Sequence, residues 1–278
     1  MTMQRVGVLG AGGRMGRVVS RAVFSDPEMD LVAAVDPGFA GTALEDLIAY
    51  GTAGGIRAVH IASDIEELER SRVDVAVDFT VASSAFDNAK WCAAHSVHVV
   101  IGTSGLSAPQ LDELTEAFSG STANCVIAPN FAVGAVLLQR FAELAAPFMD
   151  GVEIIELHHD AKTDAPSGTS MHIAAKVAEA RSKGSERGSE PFASDPTITL
   201  NVEGARGGSG PGGVRIHSVR LPGLVAHHEV VFGAVGQSLT LRHDSYDRTS
   251  FMPGVLLAVR AVPSLHGLVV GLDVLMGL

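Results

Sequence analysis

The stretch from Glu156 to Thr169 holds the side chains best suited to chemistry in this chain. His158 and His159 stand side by side, and Lys162, one of four lysines, follows them. Histidine transfers protons near neutral pH, and a neighbouring lysine pairs with a carboxylate or assists the transfer. Adjacent histidines on an extended chain point to opposite faces. They are therefore poor ligands for one shared metal ion, and we predict no metal site.

A helix start follows these residues directly. Ser167, Gly168 and Thr169 come after Pro166, and the free N–H groups of a helix N-terminus favour an anion. Pro166 and Ser167 also fit ordinary helix capping, so a purely structural interpretation stays open. A lysine facing a helix N-terminus predicts a site for a substrate carboxylate. With a histidine as proton donor, the stretch suits hydride transfer to a polarised C=C or C=N bond.

A second chemical feature is the glycine-rich turn at residues 10–16, between an apolar strand and a helical pattern. Glycine lets the backbone approach a dinucleotide pyrophosphate, and the helix N-terminus favours its charge. Met15 stands where the strict G-x-G-x-x-G pattern has its last glycine, so the motif alone also fits a tight turn without a ligand. Asp36 ends the second strand, where a carboxylate binds the adenosine ribose. Its charge repels a 2′-phosphate and favours NADH over NADPH, and Arg14 would weaken that preference.

The elements around this turn alternate between strands and helices. Alternation of this kind predicts a parallel sheet covered by helices on both faces. The strand ends at 78–80 and 102–105 should border the same crevice as the glycine turn, although ordinary strand-to-helix turns look similar. We predict strands at residues 6–9, 31–35, 73–79 and 97–101, and helices near 18–23, 83–94 and 108–118.

After Pro129 the pattern changes to a second, α+β domain with a largely antiparallel sheet. Its loop at 204–213 has six glycines and is either a mobile linker or a lid over a ligand, whereas the loop at 183–196 is typical of a surface linker. His217, His227 and His228 lie on predicted strands and are structural or touch substrate. We predict helices at 131–149, 168–181 and 248–262, and strands at 152–159, 198–202, 214–220, 226–232, 238–243 and 268–275.

Composition limits the kinds of partner. The 278 residues include 46% hydrophobic residues and carry a net charge of −11, which describes a folded chain without general attraction to nucleic acid or anionic lipid. Cys92 and Cys125 cannot form a disulfide framework, and we expect neither a signal peptide nor a membrane-spanning run. We therefore expect a cytoplasmic protein.

Taken together, these motifs resemble the 4-hydroxy-tetrahydrodipicolinate reductase family, also called dihydrodipicolinate reductase, over nearly all of the chain. The doublet His158-His159 with Lys162 and the run Ser167-Gly168-Thr169 is highly specific, whereas the glycine turn is not. The resemblance is carried by Val-Gly-Val-Leu-Gly-Ala-Gly-Gly-Arg-Met-Gly from Val6, Asp-Phe-Thr from Asp78, Gly-Thr-Ser-Gly from Gly102, Ala-Pro-Asn-Phe from Ala128, His-Ser-Val-Arg-Leu-Pro-Gly from His217 and His-Asp-Ser from His243.

The resemblance implies an α/β fold with an N-terminal Rossmann dinucleotide-binding domain at 1–129, completed by about 244–278. Residues 130–243 would form an α+β domain that binds substrate and builds a homotetramer through a mostly antiparallel sheet. By family analogy His158 and Lys162 would handle protons, His159 would bind substrate, and Gly168 with Thr169 would hold a substrate carboxylate. The nucleotide, NADH or NADPH, would be bound by Gly10, Ala11, Gly12, Gly13, Arg14, Met15, Asp36, Gly102, Thr103, Ser104, Ala128, Pro129, Asn130 and Phe131.

The family often has Thr where Ser104 stands, which keeps the hydroxyl. Some members carry basic residues beside the ribose, whereas this chain has Asp36-Pro37, and its use of NADPH stays open. The implied activity is reduction of hydroxytetrahydrodipicolinate, a cyclic dicarboxylate, with loss of water in the diaminopimelate route to lysine. The alternatives are another Rossmann dehydrogenase of amino-acid metabolism and a non-catalytic NAD(H)-sensing protein.

Overall fold

The computed structural model describes residues 3–48, 59–183 and 192–278. The chain divides into two compact units, one formed by Met1–Val133 with Arg248–Leu278 and the other by Gly134–Asp247. Residues 184–191, which make up most of the predicted linker at 183–196, lie outside the described residues. Among the helices that are described, none is long and apolar enough to cross a membrane.

Strands and helices alternate through the first half of the chain, and strands dominate after residue 207. Short 3-10 helices lie at Pro37–Phe39, Ala146–Phe148, Pro211–Gly213, Arg248–Phe251 and Val262–Ser264. The strands and α-helices are β1 (Gln4–Leu9), α1 (Arg14–Ser25), β2 (Met29–Val35), α2 (Leu44–Ile48), β3 (Ile61–Ala62), α3 (Glu67–Arg70), β4 (Val75–Asp78), α4 (Ala82–Ala94), β5 (His98–Ile101), α5 (Ala108–Ser119), β6 (Cys125–Ile127), α6 (Val133–Ala145), β7 (Gly151–His158), α7 (Gly168–Lys183), β8 (Gly208–Ser209), β9 (Arg215–Arg220), β10 (Ala226–Ala234), β11 (Gln237–Ser245), α8 (Met252–Ala261), β12 (Leu268–Val270) and α9 (Asp273–Met276).

The first unit is built on a seven-stranded sheet in the order β12-β6-β5-β4-β1-β2-β3. Its strand pairings are parallel, which confirms the predicted Rossmann-like α/β arrangement. Strands buried on both faces are formed mainly by apolar residues, and in Val75–Asp78 all four residues are buried, the first three of them apolar. Since every strand here is parallel, the carboxyl ends of β1, β2, β4 and β5 meet at one edge of the sheet.

The C-terminal segment returns to this sheet, because β12 pairs with β6. The prediction of a strand over 268–275 is too long. Gly271 has a φ of +103°, a left-handed conformation that ends the strand, and residues 273–276 form α9 instead.

The second unit contains a five-stranded sheet in the order β11-β10-β7-β9-β8. β7 pairs with β9 in parallel, while the other pairings are antiparallel. The sheet is therefore mixed, and the prediction of a mostly antiparallel sheet is not confirmed in that form. The reason is α7, which lies between β7 and β9 in the chain, since a helical crossover returns the chain in the same direction.

Residues 198–202 are not a strand, contrary to the prediction, although their apolar side chains alternate with polar ones. Ile198 is 99% exposed and Val202 is 68% exposed, so the alternation does not correspond to one buried face. Alternation predicts a strand only where a sheet covers the apolar side, and within the described residues this segment lies in no strand.

One face of the second sheet is apolar at one end and polar at the other. Val152 and Ile154 on β7 belong to an apolar core with Ile216 and Val230 from the neighbouring strands. Farther along the same face of β7 stand Glu156 and His158, which are also buried. The side-chain period of two in a strand places these four β7 residues on one face. The polar end of this face is where the candidate site lies.

Candidate active site

The histidine doublet ends β7, and its two members differ in environment. His158 is 7% exposed, whereas His159 lies just beyond the strand and is exposed. The opposite orientation expected of adjacent extended residues is therefore present. The structure brings His158, and not His159, into the buried polar cluster at the end of the sheet.

Glu156 is the centre of that cluster. Its side chain is fully buried, and Oε2 accepts a hydrogen bond from Nδ1 of His158. Arg220 donates to both carboxylate oxygens, with Nη1 2.8 Å from Oε2 and Nη2 2.7 Å from Oε1. The backbone N–H of Ser167 also donates to Oε1, at 3.2 Å. A two-pronged arginine contact of this kind is among the strongest pairings a carboxylate makes.

The pKa values follow from these contacts. Burial raises the pKa of Glu156, but hydrogen bonds from Arg220, Ser218 and His158 outweigh it and lower the pKa to about 2. Burial lowers the pKa of His158, and the positive charges of Lys162 and Arg220 act in the same direction. Glu156 opposes that shift through its hydrogen bond and its charge. Glu156 is thus ionised, and His158 loses its proton more readily than a free histidine.

The start of α7 lies against the cluster. The N–H of Ser167, just before the helix, donates to Glu156. The N–H of Ser170 donates to Oγ of Ser167 at 3.2 Å, and the N–H of Met171 donates to the carbonyl of Ser167. Gly168 and Thr169 come before the first intrahelical bonds of the helix. Their N–H groups therefore have no acceptor within the helix and are the groups that an anion could use.

Lys162 lies in the loop between β7 and α7. Its Nζ is 2.7 Å from Oδ1 of Asp164, and its side chain is 20% exposed. The same loop is held by Arg220, whose Nη2 donates to the carbonyl of Asp164 at 2.8 Å. The lysine is therefore accessible and stands on a loop that is tied to the buried cluster.

The other predicted histidines have structural partners. His227 donates from Nδ1 to Asp244 at 2.7 Å, and its Nε2 accepts from the amide of Val225. His217 contacts Glu153 through Nε2 at 2.7 Å.

His228 lies closer to the site. It is 5% exposed, its Nε2 is 3.2 Å from Oγ of Ser167, and its ring stands edge-on to that of His158 with centroids 5.4 Å apart. Burial and repulsion from His158 lower the pKa of His228 from 6.5 to about 4.

In the first unit, the glycine turn joins β1 to α1 with little space for side chains. Gly10 has a φ of +75°. A Cβ at Gly16 would lie 2.0 Å from the carbonyl oxygen of Gly10, and a Cβ at Gly12 would lie 2.0 Å from the ring of Phe39. The turn borders a cavity of about 480 Å³ that is also lined by Asp36, Phe79 and Thr80. Such a bare backbone at a helix N-terminus suits a pyrophosphate.

Asp36 is fixed by the backbone on both sides. Oδ2 accepts the N–H of Gly12 at 3.0 Å, and Oδ1 accepts the N–H of Gly38 at 3.0 Å. Arg17 donates from Nε to the carbonyl of Gly12 and lies over the ring of Phe39 at 5.3 Å. Asp36 is therefore held at the carboxyl end of β2 beside the glycine turn.

The remaining predicted loops meet around Phe79. A Cβ at Gly102 would lie 2.1 Å from its ring, and the ring of Phe131 has its centroid 5.9 Å away. Oγ1 of Thr103 donates to the carbonyl of Thr80 at 3.1 Å. Of the predicted cofactor residues, Ala11, Gly12, Ala128 and Phe131 are buried, Met15, Gly102, Thr103 and Asn130 are partly buried, and Gly13, Arg14, Ser104 and Pro129 are exposed.

Sequence reasoning assigned no role to Glu156 or Arg220, although both belong to motifs that it used. A local signal existed for Glu156, since it stands two residues before His158 on one strand face. Arg220 and His228 reach the cluster only through strand pairing. Within the described ranges, no group of three or more His, Cys, Asp or Glu side chains is arranged to hold a metal ion.

Two family models cover nearly the whole chain. The model described as "Dihydrodipicolinate reductase, N-terminus" matches residues 4–131. The model described as "Dihydrodipicolinate reductase, C-terminus" matches residues 134–276.

Individual relatives and one solved structure carry the names of the same family. The chain is 47% identical over 270 residues to the 4-hydroxy-tetrahydrodipicolinate reductase of Nocardia farcinica, covering 97% of each chain. It is 44% identical to the enzyme of that name from Listeria innocua, covering 97% of this chain and 98% of the relative. The dipicolinate-bound dihydrodipicolinate reductase of Paenisporosarcina sp. TG-14 has a TM-score of 0.83 and 39% identity, covering 98% of this chain and 99% of that one.

The lowered pKa of His228 predicts a pH-dependent stability. The unfolded chain binds a proton at this histidine near pH 6.5, whereas the folded chain does so near 4. The free energy of unfolding should therefore decrease as the pH falls from 6.5 to 4. Replacing His228 with Gln should flatten this dependence, by up to about 1.4 kcal/mol per pH unit.

Urea unfolding at a series of pH values, at one protein concentration, measures this slope. The other histidines are present in both proteins, so the difference in slope reports the contribution of His228. His172→Gln, at an exposed position on α7, is the matched control. An equal slope in wild type and His228→Gln would contradict the prediction.

Proposed function

The chain belongs to the dihydrodipicolinate reductase family, and from that premise we propose that it catalyses NAD(P)H-dependent reduction of 4-hydroxy-tetrahydrodipicolinate to tetrahydrodipicolinate. The reaction proceeds with loss of water and belongs to the diaminopimelate route to lysine. The observation that carries the proposal is the grouping of His158, Lys162 and the first amides of α7. A proton source beside an anion pocket is what reduction of a cyclic dicarboxylate requires.

The first unit, which we take as the dinucleotide-binding domain, fits a nicotinamide cofactor. The bare backbone at Gly10 and Gly13, closed by Gly16, leaves room for a pyrophosphate, and Asp36 faces the ribose position. The loops at 102–104 and 128–131 border the same strand ends and complete the nucleotide site. When bound, the reduced nicotinamide supplies a hydride.

The second unit supplies the substrate and proton groups. We assign Gly168 and Thr169 to a substrate carboxylate, bound by their N–H groups at the start of α7. Lys162 neutralises a carboxylate and acts as the second proton donor, and His159 binds substrate from its exposed position. His158 carries the proton that is delivered to the substrate as the hydride arrives.

Substitutions at the two proton-handling residues test this assignment. His158→Gln and Lys162→Cys should each lower kcat by at least about tenfold, because proton transfer and charge pairing are lost. The controls are His172→Gln and Lys176→Cys on α7, which should keep the wild-type rate. The assay follows NADH or NADPH oxidation with freshly made hydroxytetrahydrodipicolinate. Full turnover in both site variants would show that the acid/base assignment is wrong.

We further propose a preference for NADH over NADPH. Asp36 is held by Gly12 and Gly38 so that a negative charge stands at the ribose, and a 2′-phosphate meets repulsion there. Arg14 is exposed at the start of α1 and offsets part of that repulsion, so NADPH is used as well.

Asp36→Asn removes the charge and keeps one acceptor oxygen. We expect the ratio of kcat/KM for NADH to that for NADPH to fall by about tenfold, which is about 1.4 kcal/mol. Asp112→Asn, at an exposed position on α5, should leave the ratio unchanged. A wild-type ratio below one, or no change in Asp36→Asn, would contradict the preference.

Two other functions are separated by one experiment. Another dehydrogenase of amino-acid metabolism would oxidise or reduce an amino acid or a semialdehyde from a substrate panel in place of hydroxytetrahydrodipicolinate. A non-catalytic NAD(H)-sensing protein would bind cofactor but leave the absorbance of the reduced nicotinamide unchanged with every substrate. The cluster at Glu156, His158 and Lys162 favours the reductase.

We also propose that the protein is cytoplasmic and assembles as a homotetramer through the second unit. Cys92 and Cys125 are free and buried, which suits a reducing compartment. The face of the second sheet opposite the apolar core borders a cavity of about 500 Å³ lined by Ile155 and Val231. A partly exposed apolar face on a sheet is typical of an interface.

Light scattering tests the assembly. The mass should be about four times the 28.8 kDa of one chain, and Val231→Asp should lower it by placing a charge in the apolar face. Val274→Asp, at an exposed position in the first unit, should not change it. A mass near one chain for the wild type would exclude the tetramer.

A further inference from the structure

Glu156 is a buried charge that the proposed reaction does not itself use. It is fully buried at the end of the apolar face of β7, where an unpaired carboxylate is strongly unfavourable. Both of its oxygens are occupied by donors: His158 and Arg220 at Oε2, and Arg220 and Ser167 at Oε1. An ionised carboxylate accepts hydrogen bonds and donates none.

This arrangement fixes the tautomer of His158. Because Glu156 only accepts, the proton of the neutral imidazole is held on Nδ1. Nε2 then carries the lone pair, and it is the nitrogen free to take up a proton and to deliver it. Among the described residues, Glu156 is the hydrogen-bond partner of Nδ1, so removing the carboxylate takes away the contact that selects this tautomer.

The same carboxylate is linked to the other proposed substrate groups. Arg220, which pairs with Glu156, donates to the carbonyl of Asp164, and the side chain of Asp164 contacts Lys162. The amide of Ser167, which donates to Glu156, opens the helix whose next amides belong to Gly168 and Thr169. Displacing Glu156 would therefore release the imidazole and loosen the loop and the helix start around it.

We propose that Glu156 is the positioning residue of the site. It holds His158 with Nδ1 protonated and Nε2 free for proton transfer, and Arg220 fixes the carboxylate in place. The proposal rests on the role of His158 proposed above and adds the residue that makes that role possible.

The charges around His158 predict the direction of a pH effect. Glu156 raises the pKa of His158, while burial, Lys162 and Arg220 lower it, and the neighbouring ring of His228 is uncharged above about pH 4. Delivery of a proton requires protonated His158, so activity declines as the pH rises through its pKa. Replacing Glu156 with Gln removes the raising influence and should move this decline to lower pH.

Glu153 offers a matched control on the same strand. It stands on the opposite face of β7, and like Glu156 it pairs with an arginine and a histidine, Arg206 and His217. Glu153→Gln and Glu156→Gln therefore remove the same type of contact from the two faces of one strand. Because Glu153 lies near the proposed interface, the mass of each variant is measured beside its activity.

The experiment compares the full-length wild type, Glu156→Gln and Glu153→Gln. In Glu156→Gln we expect kcat to fall by about 10-fold to 100-fold, KM to change less, and the decline of kcat with pH to move to lower pH. In Glu153→Gln all three should stay at wild-type values. Nitrogen-15 NMR of labelled histidines, with His158 assigned by the signal that His158→Gln loses, should show protonated Nδ1 in the wild type and a mixture of tautomers in Glu156→Gln.

The outcomes separate this inference from the proposed function. If His158→Gln keeps full activity, the role of His158 is wrong. If His158→Gln loses activity while Glu156→Gln keeps the wild-type kcat and pH profile, only the positioning role is wrong. The wild-type NMR spectrum does not require Glu156→Gln to fold, since only the assignment of His158 uses a variant, and protonated Nε2 in neutral His158 would overturn the inference. A double variant that is no slower than His158→Gln would support it, because residues that act as a unit are not additive.

Discussion

The ionised carboxylate of Glu156 inside the second unit is the constraint to which the rest of the site conforms. Leaving such a charge unpaired would cost several kcal/mol, so the chain surrounds it with donors from three elements: Arg220 from β9, the amide of Ser167 before α7, and His158 from β7. Each donor is itself part of the proposed chemistry or supports a residue that is. The requirement to satisfy one buried charge therefore brings together the proposed proton donor, the lysine loop and the amides proposed to bind an anion.

In the first unit, carboxylates at two strand ends also accept hydrogen bonds from neighbouring loops. Asp36 accepts amides from the glycine turn and from the segment after β2. Asp78 is fully buried at the end of β4 and accepts the amide and hydroxyl of Thr80 and the side-chain amide of Asn88. Burial raises the pKa of Asp78, against the hydrogen bonds from Thr80 and Asn88 that lower it. In both units, a carboxylate accepts N–H groups of the short loops that we propose to bind a ligand.

Local patterns were enough to predict much of this chain. The apolar runs predicted the parallel sheet because buried strands need no partner information to be recognised, and the stretch from His158 to Thr169 lies within twelve consecutive residues. Features set by distant partners were not predicted. Arg220 reaches Glu156 across 64 positions of sequence, the three-residue strand β6 is too short to show a pattern, and residues 198–202 alternate without a sheet to cover them. The glycine turn was predicted in part. Its glycine spacing is visible in the sequence, but its contacts with Phe39 and Phe79 arise only in the folded chain.

The parallel pairing that the sequence did not predict is also what builds the site. Because α7 crosses from β7 to β9, both strands run in the same direction and end together, with His158 opposite Arg220 and Glu156 opposite Ser218. An antiparallel β9 would place its last residue at the other end of the sheet, far from Glu156. The helix that enforces the parallel pairing begins at this same end, where the amide of Ser167 donates to Glu156. The proposed substrate site of the second unit thus has the position that ligands take in open parallel sheets, beyond the carboxyl ends of strands joined by a helix.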